Sequence, residues 1–577
     1  MGMVWSAWQD GPVSNRGVFN KKLQRAWHRV FLALLLIVAA MTVQAETLAE
    51  TQPGNARPLA WQIDPVSTGR QSEAGEVKLN LAIHLPADGK IRHIVLYPSP
   101  NGQPAIKSTA GGPHIDLNGP WIRTSAVLEQ KGIAVAFADP PDDAAGHMPE
   151  NRPPLSLRRD LQAVLDYLTT RYPGVPVSLG LFAGEAVPVL DVVSRLEGVH
   201  GVIVASGGFL KARTKDWHGI KTPVLLIHAP GAQCDAAPYP EAEYLARLNG
   251  FALVQARYPH REWKPGCGKD SQHVLAALDE EFAALVARWL DGAAVAAFIG
   301  HGDMLPAWHE EIVHYAVPAV LGHVELEMTL LFPDGTGPFP LLVFNHGDME
   351  LDSPHVRDKQ RFRDMIVARE FLYHGIAVAF PSRQGVGLSE GGLQNHFSIN
   401  DAAPLYKAKA QSADIVPAID YLKTRKEIDP GRIILSGQSA GGYCAMYLAG
   451  INLPGVIGVV NFSGGRTTNK TASGGPEYRN QMMIDGFAEV GKTAQVPALL
   501  VFTENDSRYS ANTIQSSQDA FVSAGGKSTL LLLPPIAGDG HFVFHQPQLW
   551  RAALSKYLGD IGIRPLSQQE RGVQADP

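Results

Sequence analysis

"RIILSGQSAGGYCAMYLAG", Arg432 to Gly450, holds the reading that decides the fold. A short apolar run of strand character ends at Ser436, a Gly-x-Ser-x-Gly turn spans Gly437 to Gly441, and an apolar run of good helix formers follows from Tyr443. A serine on a tight strand-to-helix turn has its hydroxyl lifted out of the sheet, with the next helix N-terminus aimed at the same spot. Gly437 and Gly441 let that turn close without a Cβ clash. The pattern alone is weak, because in so glycine-rich a chain chance gives on the order of 0.4 matches. A second match, "GLSEG" at Gly387 to Gly391, follows "PSRQGV" and leads into "GLQNHFSIND" with no helix to receive it. It reads as a glycine-rich loop at a pocket rim, and Ser439 is the candidate nucleophile.

A serine needs a base, and the base needs an orienting carboxylate. On a strand-turn-helix scaffold of this kind the order is Ser, then acid, then His, each on a loop after a strand. "VPALLVFTENDS" (Val496 to Ser507) is an apolar strand ending in Asp506, and "STLLLLPPIAGDGHF" (Ser528 to Phe542) is the next, with His541 in its loop. Glu504 is a rival acid, although closer to the strand. Asp539 is another, only two residues from His541. His545 is the rival base but falls where the next helix begins, which suits a structural histidine. Oxyanion donors are expected from the N–H of Ala440 and from the loop after "LLVFNHG", where Gly347 and Asp348 are the candidates.

The chain also repeats itself. "VKLNLAIHLPADG" (Val77 to Gly89) parallels "VELEMTLLFPDG" (Val324 to Gly335), and "HIVLYPSPNG" parallels "LLVFNHGDME". "GIAVAF" recurs verbatim at Gly132 and Gly375, and "DYLTTR" (from Asp166) at "DYLKTR" (from Asp420). Strands alternating with helical stretches at this spacing imply an α/β class: two tandem domains, each a mostly parallel twisted sheet with helices on both faces. The expected organisation is a signal peptide at 1–45, an N-terminal segment at 46–75, a first domain at 76–292, a linker at 293–312, a second domain at 313–565 and a polar tail at 566–577.

The second half, about Val313 to Ile563, resembles the α/β-hydrolase superfamily and its dienelactone-hydrolase-like esterase branch. "HGD", "SRQGVGLSEGG", "GQSAGG", "TENDS" and "GDGH" stand where such enzymes keep the oxyanion loop, a post-strand loop, the nucleophile, the acid and the base. Dienelactone hydrolases proper use a cysteine where this chain has Ser439, so the resemblance implies a generic serine esterase. The first half resembles the same fold with its chemistry removed. In "LGLFAGEA" (Leu179 to Ala186) Phe182 takes the nucleophile position, Ala232 falls at the acid position with Asp235 three residues late, and His273 remains at the base position.

Composition excludes some classes. The chain has 577 residues, 45% hydrophobic and 18% charged, with a net charge of −6, and offers no electrostatic footprint for nucleic acid. Lys21, Lys22, Arg25 and Arg29 precede the apolar run Val30 to Val43, and Val43-Gln44-Ala45 supplies a cleavage site, so an exported chain beginning near Glu46 is expected. That run is short for a bilayer span of ~20 residues, so signal cleavage is favoured over anchoring in the inner membrane. Export permits a disulfide between Cys234 and Cys267, worth roughly 3 kcal/mol in the chain-entropy model. Cys444 reads as a buried small hydrophobe. No spacing suggests a metal, and no cofactor is required. The reading is an exported serine hydrolase (periplasmic or secreted) acting on small carboxylic esters. A peptidase or acyltransferase on the same residues, and a non-catalytic envelope-binding protein, are the alternatives.

Overall fold

A computed structural model describes residues 61–563 apart from 87, 100–101, 110–111, 117–118, 146–151, 211, 231–236, 259–274, 276–277, 301–307, 320–321, 350, 352, 394–402 and 467–474. The proposed signal, Cys234, Cys267, Ala232, Asp235 and His273 all lie outside the described residues. The described chain belongs to a single compact unit, Pro58–Pro577.

Two large sheets organise it. The first half contributes β1 (Trp61–Ser72), β2 (Gly75–His84), β3 (His93–Pro98), the hairpin β4 (Ile106–Thr109) and β5 (Gly112–Ile115), β6 (Ile133–Ala138), β7 (Val177–Ala183), β8 (Val199–Gly207), β9 (Val224–His228), β10 (Ala252–Ala256) and β11 (Phe298–Ile299). The second contributes β12 (Trp308–Ala319), β13 (Gly322–Pro333), β14 (Phe339–Asn345), β15 (Ala377–Pro381), β16 (Ile428–Gln438), β17 (Val456–Phe462), β18 (Ala498–Thr503) and β19 (Ser528–Leu533). The sheet orders are β1-β2-β6-β3-β7-β8-β9-β10-β11 and β12-β13-β15-β14-β16-β17-β18-β19, the same path walked twice, with β11 added at the far edge of the first. In each, the first two strands are antiparallel additions to an otherwise parallel sheet. The duplication seen in the sequence is therefore a duplication of topology.

Burial explains the strand chemistry. Val77, Leu79 and Leu81 point into the core of β2 while Lys78 and Asn80 point out, whereas every residue of β6 and β15 is buried, as expected of strands covered on both faces. The element boundaries differ from expectation at two places. Trp61–Ser72, expected as a separate N-terminal segment, pairs along β2 as the edge strand of the first sheet. The stretch 293–312, expected as a linker, carries β11 and the first residues of β12. Alternation in "WHEEIVHYAV" is masked by its charges, so the strand becomes visible only through its pairing with β13. Among the described residues no helix is long and apolar enough to cross a membrane.

The halves share a packed interface. Phe182 and Tyr258 touch both a core of the first half and a core of the second, and Ala537 of the second half is buried within the first half's core. Arg369 Nη2 meets Glu281 Oε1 at 2.8 Å, and Arg551 bridges Glu280 of the first half and Glu370 of the second.

Gly441 tests how tightly the nucleophile turn is packed, since a Cβ there would collide with the carbonyl oxygens of Asn345 and His346. Gly441→Ala is expected to lose ~1–3 kcal/mol of stability in urea unfolding, as overpacked cores do. Gly559→Ala, in a helix with open space around it, should be neutral or slightly stabilising. Equal stability of the two variants would mean that the turn yields.

Candidate active site

Ser439 sits between β16 and the helix Ala440–Gly450, with φ +55° and ψ −125°. Left-handed backbone at a residue with a Cβ costs of order 1–3 kcal/mol and persists only where its surroundings impose it. Here its N–H donates to the Phe462 carbonyl at 3.1 Å, and Gly437 and Gly441 leave room on either side for backbone that a Cβ would strike. Ala440 is the first residue of the helix, so its N–H has no acceptor within the helix.

Asp506 ends the turn after β18. Its Oδ1 accepts the N–H groups of Arg508 at 2.8 Å and Tyr509 at 3.2 Å. Both its oxygens face Nδ1 of His541, at 3.0 and 3.1 Å, and both side chains are buried. With Nδ1–H donated to the carboxylate, Nε2 is left as the basic nitrogen. The loop beneath is stapled by Asn505, whose Nδ2 donates to the carbonyls of Ile536 (2.9 Å) and Gly538 (3.1 Å) and whose Oδ1 accepts from Ile536 N (3.0 Å). Gln438, the residue before Ser439, donates from Nε2 to the His541 carbonyl at 3.1 Å. The turns carrying Ser439, Asp506 and His541 thus meet at one end of the second sheet.

The rival residues have other work. Asp539 accepts from His541 N (2.9 Å) and from Ser507 N and Oγ (3.1 and 2.6 Å), shaping the loop. Glu504 is exposed. His545 pairs through Nε2 with Asp364 Oδ2 at 2.6 Å, where Asp364 also caps the helix Met365–Leu372. In "GLSEG", Ser389 is buried and its Oγ donates to the Ser382 carbonyl at 2.7 Å, bracing the loop.

The loop after β14 passes against the turn: a Cβ built on Gly347 would lie 3.3 Å from Ser439 Cβ. Its conformation is held by Arg383, a buried residue that sequence reading passed over inside "SRQGVGLSEGG". Arg383 donates from Nη1 to the His346 carbonyl (2.7 Å) and from Nη2 to the Gly347 carbonyl (2.8 Å). Burial first, and then this guanidinium, push the His346 imidazole well below its ordinary range. It is neutral, with Nδ1–H donating to the Gly347 carbonyl at 2.7 Å and Nε2 accepting the Arg383 N–H at 3.2 Å. Two donors on the Gly347 carbonyl turn it inward, and in a trans peptide the Asp348 N–H then faces the opposite way. The Asp348 side chain is not in this cluster but paired with Lys407 and Gln411.

In the first half, strand register corrects one assignment. Phe182 pairs with Ala205 and is followed across the sheet by left-handed Ser206, just as Gln438 pairs with Phe462 and is followed by left-handed Ser463. The counterpart of Ser439 is therefore Ala183, which keeps the left-handed backbone at φ +58°. Matching the glycines had placed Phe182 there, one residue early, because the first half has Glu185 where the second has Gly441. The segment between β17 and β18 contains the helix Gly475–Gly491, with Met483 and Phe487 buried.

No family model and no curated protein matches the sequence. Solved structures do resemble the chain. An esterase of Pyrococcus furiosus is 14% identical over 45% of this chain and 94% of its own, with a TM-score of 0.33. A protein of Klebsiella pneumoniae designated a dienelactone hydrolase is 15% identical over 43% and 97%, with a TM-score of 0.30. The acylaminoacyl peptidase of Pyrococcus horikoshii is 12% identical over 47% and 45%, with a TM-score of 0.35. The strand order and the serine turn between β16 and its helix, read by themselves, are those of the α/β-hydrolase fold, and this chain carries that strand order twice.

Proposed function

We propose that the second half is a serine hydrolase acting on carboxylic esters of small molecules. One observation carries the reading: an imidazole whose Nδ1 is held by a buried carboxylate stands in the loop beside a serine kept in left-handed backbone at a strand-to-helix turn. Ser439 Oγ attacks the ester carbonyl as His541 Nε2 takes its proton, and Asp506 stabilises the imidazolium. The N–H groups of Ala440 and Asp348 receive the oxyanion. His541 then returns the proton to the leaving alkoxide, and the acyl-enzyme is hydrolysed by water that His541 deprotonates. Arg383 and His346 act through the Gly347 carbonyl, orienting the Asp348 N–H. The basic flank and apolar run at Lys21 to Val43 support an exported enzyme.

The protein purified from Glu46 should hydrolyse p-nitrophenyl acetate and bind a fluorophosphonate at Ser439. Ser439→Ala should lower kcat by about 10⁶-fold where the serine acts as nucleophile, and undiminished turnover in that variant would reject the site.

Arg383→Gln removes the fork that holds two carbonyls at once. It should lower kcat by about 10–100-fold with little change in KM, since misplacing one oxyanion donor costs transition-state binding alone. Lysine, a point donor, should restore little of this. A rise in KM at constant kcat would show that Arg383 shapes substrate binding and not the oxyanion loop.

A further inference from the structure

The His541 loop leaves β19, which is the edge strand of its sheet and only partly buried. From within the second half it is anchored by Asn505, Asp539, Gln438 and Ser463. A further anchor comes from the first half. Ile115 N donates to the Ala537 carbonyl at 2.9 Å, and Ile115 and Gly538 form a parallel bridge, so β5 lies along the loop three to four residues before His541. Ala537 is buried in a core otherwise built from the first half, and a Cβ on Gly538 would lie 3.4 Å from Ile122 Cγ2. Gln548, just beyond the loop, donates to the Arg123 carbonyl at 3.2 Å.

β3 is the counterpart of β14, so residues 99–101 hold the chain position of the His346-Gly347-Asp348 loop, and the hairpin β4–β5 follows them in the chain. In the second half that loop nests against the serine turn because position 441 is glycine. In the first half the matching residue is Glu185, buried, with its carboxyl pushed up to about 8 by burial and accepting the Phe182 N–H. The hairpin β4–β5 reaches the second half, its base pinned by Asp139, whose Oδ1 accepts the N–H groups of Ala105 at 2.6 Å and Ile106 at 3.2 Å.

We propose that the first half is a positioning module for the second: Ile115 of its hairpin β4–β5 and Ile122 of the helix Pro120–Arg123 after it hold the 536–538 segment and with it the pairing of His541 with Asp506. Ile115 and Ile122 are positioning residues, acting on the reaction only through the histidine loop. The proposal rests on the reading of His541 as the base.

The test uses the full chain. Ile115→Pro deletes the N–H that reaches Ala537 while leaving an extended residue whose N–H the hairpin does not use. We expect kcat for p-nitrophenyl acetate to fall by about 10–100-fold with KM within about twofold, as small misplacements of a catalytic group do. The fluorophosphonate should react at Ser439 more slowly by a similar factor but label the same fraction of molecules. Ile115→Val, which keeps the N–H, should stay close to the parent. If Ile115→Pro does not fold, Ile122→Ala reads the same contact and should show the same split. Turnover within twofold of the parent in the variant that folds, or a loss explained wholly by a smaller labelled fraction at an unchanged rate, overturns the proposal. Ser439→Ala run alongside separates the two ideas: turnover surviving in it rejects the active site itself, whereas its loss beside an unimpaired Ile115→Pro rejects only the buttress.

Discussion

The backbone of Ser439 is the constraint on which the rest depends. A residue with a Cβ held at positive φ must be forced there, and the force comes from packing on every side: the Phe462 carbonyl on its N–H, the backbone of Asn345 and His346 against Gly441, and Asn461 against Gly442. The contacts at Gly441 and Gly442 require the absence of a Cβ, which is why glycines crowd the motif. The same closeness brings the Gly347 loop to the serine and lets a buried arginine orient it. The turn is therefore also the element against which that loop packs.

The first half shows the turn without the serine. Ala183 keeps the left-handed conformation, and Ser206 keeps that of Ser463, because strand register and the crossover into the next helix demand them whether or not a hydroxyl is present. What changed is the surroundings. Glu185 stands where the second half has Gly441, and the hairpin β4–β5 meets the other half along the loop before His541.

Much of this was legible in the chain. Periodicity and repeated strings gave two α/β halves, since the apolar patterns of strands buried on one face or two are local properties. Ser439, Asp506 and His541 could be singled out because each ends an apolar strand, and the tertiary structure brings their turns together. The edge strands β1 and β12 were not legible, because their solvent faces carry charges that blur alternation and only pairing defines them. Nor was Arg383, whose position in a glycine-rich loop looks like that of any surface arginine until its guanidinium is found buried among carbonyls.

The sequence by itself determined the period of each element, the order of the candidate catalytic residues and the fact of duplication, because these depend on neighbours along the chain. Tertiary structure alone decided that Ala183 and not Phe182 matches Ser439, that His346 is neutral, and that the loop bearing His541 is anchored from the opposite half. Those depend on register and on contacts between residues hundreds of positions apart, such as Ile115 and Ala537. A one-residue offset changes which side chain meets which carbonyl, and no local pattern reports it.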